Sequence, residues 1–121
     1  PTFCALSGTT IPKNAQLRGR DFSPLLKGQS PSWRKSFYGE YDMEHGGTVS
    51  WMRCIRTEKW KMMIDLRNLG RGDLYNLELD PGEKNNLFYK KQQAVIVHSL
   101  KRKIYEKMQD ANDPKLKYLQ L

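Results

Sequence analysis

His45 sits in "MEHGGT", between two runs that read as strands, and Arg56 and Lys59 sit in "RCIRTEKWK", at the next such junction. An imidazole, a guanidinium and an ammonium are groups that hold an oxyanion, the guanidinium bidentately and the ammonium as a point charge. On a functional reading, the His45 loop reaches an active site and donates to an anionic substrate. Arg56 and Lys59, with Arg53 and Lys61 beside them, then supply charge. An exposed loop histidine and alternating charges on a solvated sheet face fit the same residues.

Other chemistry is scarcer. Cys4 opens "CALSG" and Cys54 opens "CIRTE". They lack C-x-x-C spacing and have no His cluster nearby, so a zinc site is not indicated. The two read as separate buried thiols, and a disulfide between them is not indicated. Glu40, Asp42 and Glu44 are grouped carboxylates of the kind that do acid–base work or bind a cation. No second ligand group lies near them in sequence, and solvated strand-end acids fit as well. His98 falls on a helical run beside Val97 and reads as a boundary residue. Trp33, Trp51 and Trp60 read as core or domain-interface residues before a sugar platform. No nucleophile has a base beside it, so no catalytic residue, metal ligand or cofactor is assigned to this chain.

The elements that must position these groups are legible in the pattern. With 121 residues, one domain is the expectation, and 38% hydrophobic residues fit a folded chain better than a disordered one. A chain this short has room for one modest core and little room for a large catalytic cleft as well. No apolar run approaches the roughly 20 residues needed to cross a bilayer. The chain starts at Pro1 and not Met, which reads as a processed or trimmed product. A net charge of +8 favours anionic partners. Much of it lies in "KKQQAVIVHSLKRKIYEK", where a solvated helix face explains it as well.

Residues 1–30 form an irregular arm. "TFCALSG" predicts a short helix with a glycine exit. Asp21 or Ser23 caps one turn around Pro24. Phe3, Leu6, Phe22, Leu25 and Leu26 follow no sustained period, so they are expected to pack on something outside the arm. From Trp33 the pattern turns to strands: "SFYGEYDM", "VSWMRCIRT", "EKWKMMIDL" and "LYNLEL". "VSWMRCIRT" carries apolar residues on both faces and should be central. Glu58-Lys59 is short enough for a hairpin turn. "NLGRGD" reads as a glycine-rich loop, and Tyr75, Leu77 and Leu79 read as the apolar face of the last strand. Val97, Leu100, Ile104, Met108 and Ala111 recur at helical spacing, and Pro114 bounds that helix. The predicted fold is α+β: a small antiparallel sheet of about four strands, covered on one face by a long C-terminal helix.

Between the last strand and the helix runs "GDLYNLELDPGEKNNL". Pro81 presets φ for one corner of a turn, and Gly82 supplies positive φ for the next. Asp80 can accept a backbone N–H two residues on. Asn85 and Asn86 tolerate the left-handed region and can cap the element after them. The string reads as a rigid connector and not as a catalytic loop.

That string, preceded by "RTEKWKMMIDL" and followed by a long helix, resembles the C-terminal subdomain of the sulfatase family. "PTFCALSGTTIPKNAQLRGRDFSPLLKG" resembles the family segment through which the chain leaves the large α/β domain, and "SWRKSFYGEY" resembles the subdomain's first strand. The resemblance implies residues 1–30 as an arm from that domain and 31–121 as the α+β subdomain. It implies a partner, an N-terminal catalytic domain resembling alkaline phosphatase. That domain would carry a C/S-x-P-x-R motif converted to formylglycine, a calcium ion, and a sulfate ester substrate. Neither Cys4 nor Cys54 has Pro two on and Arg four on, so no nucleophile or metal ligand carries over. The expected function is the C-terminal part of a sulfuric ester hydrolase, structural and cleft-lining, not catalytic alone. His45, Arg56 and Lys59 are the candidate substrate contacts. An isolated chain is expected to self-associate through the arm's apolar residues. The alternative is a basic sheet that binds nucleic acid or another polyanion. No RNA-binding signature supports it, and neither nucleic acid nor membrane is expected as a partner.

Overall fold

The structure is a computed structural model and describes residues 1–121. It divides into two compact units, Pro1–Arg34 and Lys35–Leu121. In the first, α1 (Thr2–Ser7) ends at Gly8, whose φ of 71° is the left-handed exit that glycine makes without strain. Helix α2 (Ser23–Leu26) is a single turn with Pro24 in its first positions. Asp21 sets that turn by accepting the Ser23 N–H at 2.8 Å and the Ser23 hydroxyl at 3.0 Å. The Phe22 N–H donates to the buried Thr2 hydroxyl at 3.1 Å, which ties α2 to α1. Phe3, Leu6, Phe22, Leu25 and Leu26 are all exposed.

The second unit is an antiparallel meander of β1 (Ser36–His45), β2 (Thr48–Thr57), β3 (Trp60–Asp65) and β4 (Asn68–Asn76), in that spatial order. Strand β2 is central, as its two-faced apolar pattern predicts. Thr57 closes the Glu58-Lys59 connection: its hydroxyl accepts the Trp60 N–H at 2.9 Å and donates to the Trp60 carbonyl at 3.2 Å. Tyr38, Ile55, Met62 and Leu74 stand opposite one another across all the strands. This row, with Ile64 and Leu66, meets Leu100, Ile104 and Met108 of α3 (Ala94–Asp110) to form the core. Each fully buried side chain of this size contributes about 1.5–3 kcal/mol over its exposed state.

Two expectations about β4 fail. "NLGRGD" is strand and not loop. The turn lies earlier, at Leu66-Arg67, where the Asp65 carboxylate accepts the N–H groups of Arg67 at 3.0 Å and Trp51 at 3.1 Å. The glycines fit a strand because Phe88 needs the space: a Cβ on Gly72 would lie 2.4 Å from its ring. The buried phase is Leu74 and Asn76, while Leu79 is 83% exposed. Pairing of Met62 with Leu74 fixes that phase. The strand then stops at Asn76, whose side chain accepts the N–H groups of Glu78 and Leu79.

The connector is rigid, with different parts from those expected. Positive φ falls on Glu83 (53°), and Gly82 is not among the positive-φ glycines. The Glu83 N–H closes a turn onto the Asp80 carbonyl at 3.1 Å, so Pro81-Gly82 forms its ordinary corners. The Asp80 carboxylate accepts the N–H of Asn85, five residues on, at 2.8 Å. Asn86 caps no helix; it pairs with the free edge of β4. Its carbonyl accepts the Leu74 N–H at 3.1 Å and its amide donates to the Gly72 carbonyl at 3.0 Å. Leu87 continues the ladder from its N–H to the Leu74 carbonyl at 2.8 Å. An edge strand is thereby covered by its own connector.

Helix α3 ends in a Schellman motif. Asn112 takes the left-handed position (φ 50°), Asp113 N–H reaches back to the Met108 carbonyl, and Asn112 N–H to that of Gln109, each at 2.9 Å. The chain then runs over the sheet through a 3-10 turn (Leu116–Tyr118) and buries Leu119 in the core.

Candidate functional site

Because β1 and β2 pair residue by residue, the register locates the candidate contacts. His45 pairs with Thr48 at the hairpin tip, and Arg56 pairs with Phe37 toward the other end. Thr48 and Arg56 are eight positions apart on one strand, which is about 27 Å at ~3.4 Å per residue. Lys59 lies past Arg56, in the next turn. His45 and the Arg56–Lys59 pair are therefore not brought together, and no single sulfate touches both ends. His45 and Arg56 are exposed with no ion-pair partner, whereas Lys59 bonds Glu78 at 2.7 Å.

Arg53 and Lys61 lie elsewhere than a solvated anion site. Arg53 is 1% exposed, on the helix-covered face of β2. Its Nε donates to Asp113 at 2.8 Å, and its Nη1 to Asp42 at 2.7 Å and to the Met52 carbonyl at 2.9 Å. Lys115 donates to the other Asp42 oxygen at 2.7 Å and lies 4.8 Å from the centre of the Trp51 ring. Tyr118 stacks obliquely on the same ring at 5.1 Å. Lys61 pairs with Glu83 at 2.6 Å. Burial pushes the Asp42 carboxyl up, but hydrogen bonds from Arg53 and Lys115 outweigh it and hold its pKa below 3.8. These charges fasten the C-terminal tail to the sheet. Sequence reading missed the tail, and the signal was present: "DPKLKYL" alternates cations with apolar anchors directly after the helix stop.

The acidic trio gathers no ion site. Asp42 is committed to two cations, and Glu44 accepts the Trp51 indole N–H at 3.3 Å. No three His, Cys, Asp or Glu side chains converge as a metal site. Cys4 and Cys54 are both free and half-buried; burial raises the Cys54 thiol pKa. His98 is exposed on α3. Trp51 and Trp60 pack at the core margin, as expected, and the guanidinium groups of Arg20 and Arg34 lie 5.2 and 5.3 Å from the centre of the Trp33 ring.

What the sheet offers is its other face. Phe37, Tyr41, Met43, Met52, Cys54 and Met63 alternate with the buried row and so point away from α3. Phe37 and Tyr41 are more than half exposed. One face of an antiparallel sheet usually meets water through polar side chains; this one sets a strip of aromatic, thioether and thiol groups beside Arg56, Lys61 and Asp73.

Comparison with known proteins agrees with this architecture. The chain is 32% identical over 124 residues to an N-acetylglucosamine-6-O-sulfatase of Bacteroides thetaiotaomicron, covering 94% of this chain and 21% of that protein. It is 34% identical over 109 residues to human arylsulfatase A, covering 72% and 20%. A solved structure in complex with its substrate D-glucosamine-2-N,6-O-disulfate superposes with a TM-score of 0.72 at 28% identity, covering 95% of this chain and 24% of that one. The chain thus spans about a fifth of the length of the curated relatives it matches. The family profile for N-sulphoglucosamine sulphohydrolase, C-terminal, matches residues 1–110. Nearly the whole chain is accounted for by that match, and it belongs to this C-terminal family of the sulfatases.

Proposed function

We propose that the chain acts as the C-terminal buttress of a sulfuric ester hydrolase and performs no catalysis alone. Its partner is a large N-terminal α/β domain, which supplies the formylglycine nucleophile and the calcium ion. Residues 1–30 form the arm that comes from that domain, and residues 31–121 the subdomain. The observation that carries this reading is the strip of exposed Phe37 and Tyr41 with Met43, Met52 and Met63 on the sheet face opposite α3, together with the exposed apolar residues of the arm. Both are surfaces of the kind that a neighbouring domain buries.

Among the candidate substrate contacts, His45 and Arg56 have the stronger support, since neither is engaged within the chain, whereas Lys59 already faces Glu78. The separation along β2 makes them contacts to different parts of a substrate or alternatives to each other. Two of the similar proteins are described by their action on, or complex with, sulfated glucosamine. We take a sulfated amino sugar as the substrate class. The test is the reading frame upstream of Pro1. A C/S-x-P-x-R stretch there is the expected result, and a frame without one overturns the proposal.

A further inference from the structure

The fold partly buries only a few lysines, and their partners differ. Lys61 pairs with Glu83 and Lys115 with Asp42, but Lys101 forms no ion pair. Lys101 borders a groove of about 250 Å3 together with Tyr89, Lys90, Lys91 and His98, and the apolar Phe88, Ala94, Val97 and the terminal Leu121 complete its lining. Lys90 and Lys91 are also unpaired. Partly withdrawing an ammonium from water without a counter-charge is unfavourable, and an anion in the groove offsets it.

The groove's aromatic wall is held in place. Tyr89 is 64% exposed, yet its hydroxyl accepts the Gly72 N–H at 3.2 Å and donates to the Gly70 carbonyl at 2.9 Å. Its ring also meets Phe88 edge-on at 5.2 Å. A solvent-facing ring fixed at its far end is a preordered platform, so ligand binding loses little side-chain entropy there. The volume is below the ~300–1,000 Å3 of drug-sized pockets and suits one sugar ring.

We propose that this groove binds one sulfated sugar residue of an anionic saccharide chain. Lys90, Lys91 and Lys101 meet the sulfate, and the Tyr89 ring lies against the sugar's apolar face. The choice of a sulfated saccharide rests on the function proposed above. A single-stranded nucleic acid is the competing ligand, since such ligands use successive stacking rings along a strand; the groove offers only Tyr89 and His98 as exposed rings, and the oligonucleotide arm of the test decides between them.

The test is a 1H–15N titration of the 121-residue chain with a sulfated glucosamine-containing tetrasaccharide, its desulfated counterpart, inorganic sulfate and a single-stranded oligonucleotide. Shifts centred on Tyr89, Lys90, Lys91 and Lys101 with the sulfated tetrasaccharide, and none with the desulfated one, are expected. Replacing Lys90, Lys91 and Lys101 with Ala weakens binding about tenfold or more, each lost charge-assisted contact contributing. Replacing the exposed Lys35, Lys84 and Lys103 with Ala removes the same charge and changes binding less than about twofold. Lys101→Arg keeps the charge and retains binding. Equal loss in both triple variants, tighter oligonucleotide binding at the same residues, or a response to inorganic sulfate equal to that of the tetrasaccharide overturns the proposal. Shifts centred on Arg56 and Lys59 overturn the groove and leave the hydrolase reading standing. No saccharide response also overturns the groove, and the upstream reading frame then decides the hydrolase reading separately.

Discussion

Arg53 in the middle of the sheet and Asp113, three residues past the helix, form a buried ion pair at 2.8 Å, with side chains 1% and 4% exposed. The Schellman motif makes that meeting possible, because it turns the chain back at Asn112 and delivers Asp113 onto β2. Arg53→Met leaves the buried Asp113 carboxylate without a cation and should cost about 3–5 kcal/mol. Asp113→Leu leaves Arg53 still paired with Asp42 at 2.7 Å and should cost less. The double variant should cost clearly less than their sum, since it leaves fewer unpaired charges. Urea denaturation of the four proteins measures this, and strict additivity would show that the pair does not act as a unit.

Gly72 makes a sharper steric prediction. Its missing Cβ is the space that Phe88 occupies. Gly72→Ala should destabilise by about 1–3 kcal/mol through overpacking. Phe88→Leu in the same chain should recover part of that loss. Thermal melts of the single and double variants check it.

Acid should loosen the tail before the core. Desolvation raises the Asp42 pKa, but its hydrogen bonds to Arg53 and Lys115 outweigh that and hold it below the usual carboxylate range in the folded chain. A depressed folded pKa means that the unfolded chain binds protons first, so this stability is full above the usual carboxylate range and is lost as pH falls through the lowered value. Asp80 behaves alike, its carboxylate held low by the N–H groups of Asn85 and Lys84. Near-UV circular dichroism of Trp51, which stacks on Tyr118 of the tail, should change over that window. Asp42→Asn should remove the part of the acid response that Asp42 contributes.

Much of the architecture is legible in the sequence alone. Strand alternation in "VSWMRCIRT", the helical spacing of Leu100, Ile104 and Met108, and the stop before Pro114 are local signals, and the fold obeys them. The failures are non-local. Strand β4 looks like loop because Gly70 and Gly72 read as breakers, when the reason for Gly72 is a ring contributed from Phe88. Its buried phase follows from pairing with Met62, not from its own sequence. Arg53 looks solvated because its partners lie 11 and 60 residues away. His45 and Arg56 are legible as residue types, but only strand register reveals that they lie at opposite ends.

Self-association should have two separable sources. The chain should sediment as a concentration-dependent mixture, because the sheet face and the arm both expose large apolar side chains. Phe37→Ser with Tyr41→Ser should lower the weight-average mass through the sheet face, and Phe3→Ser with Leu26→Ser through the arm. A clean monomer for the unchanged chain at high concentration would contradict the docking role of both surfaces.

The most direct measurement is turnover of a sulfate ester by the purified 121-residue chain, with and without added calcium. No hydrolysis above the uncatalysed rate is predicted in either condition, because on the proposed function the reacting groups belong to the larger part of the enzyme, and this chain spans about a fifth of the relatives it matches. Sustained hydrolysis by the chain alone, lost on substitution of one of its own side chains, would contradict the buttress role.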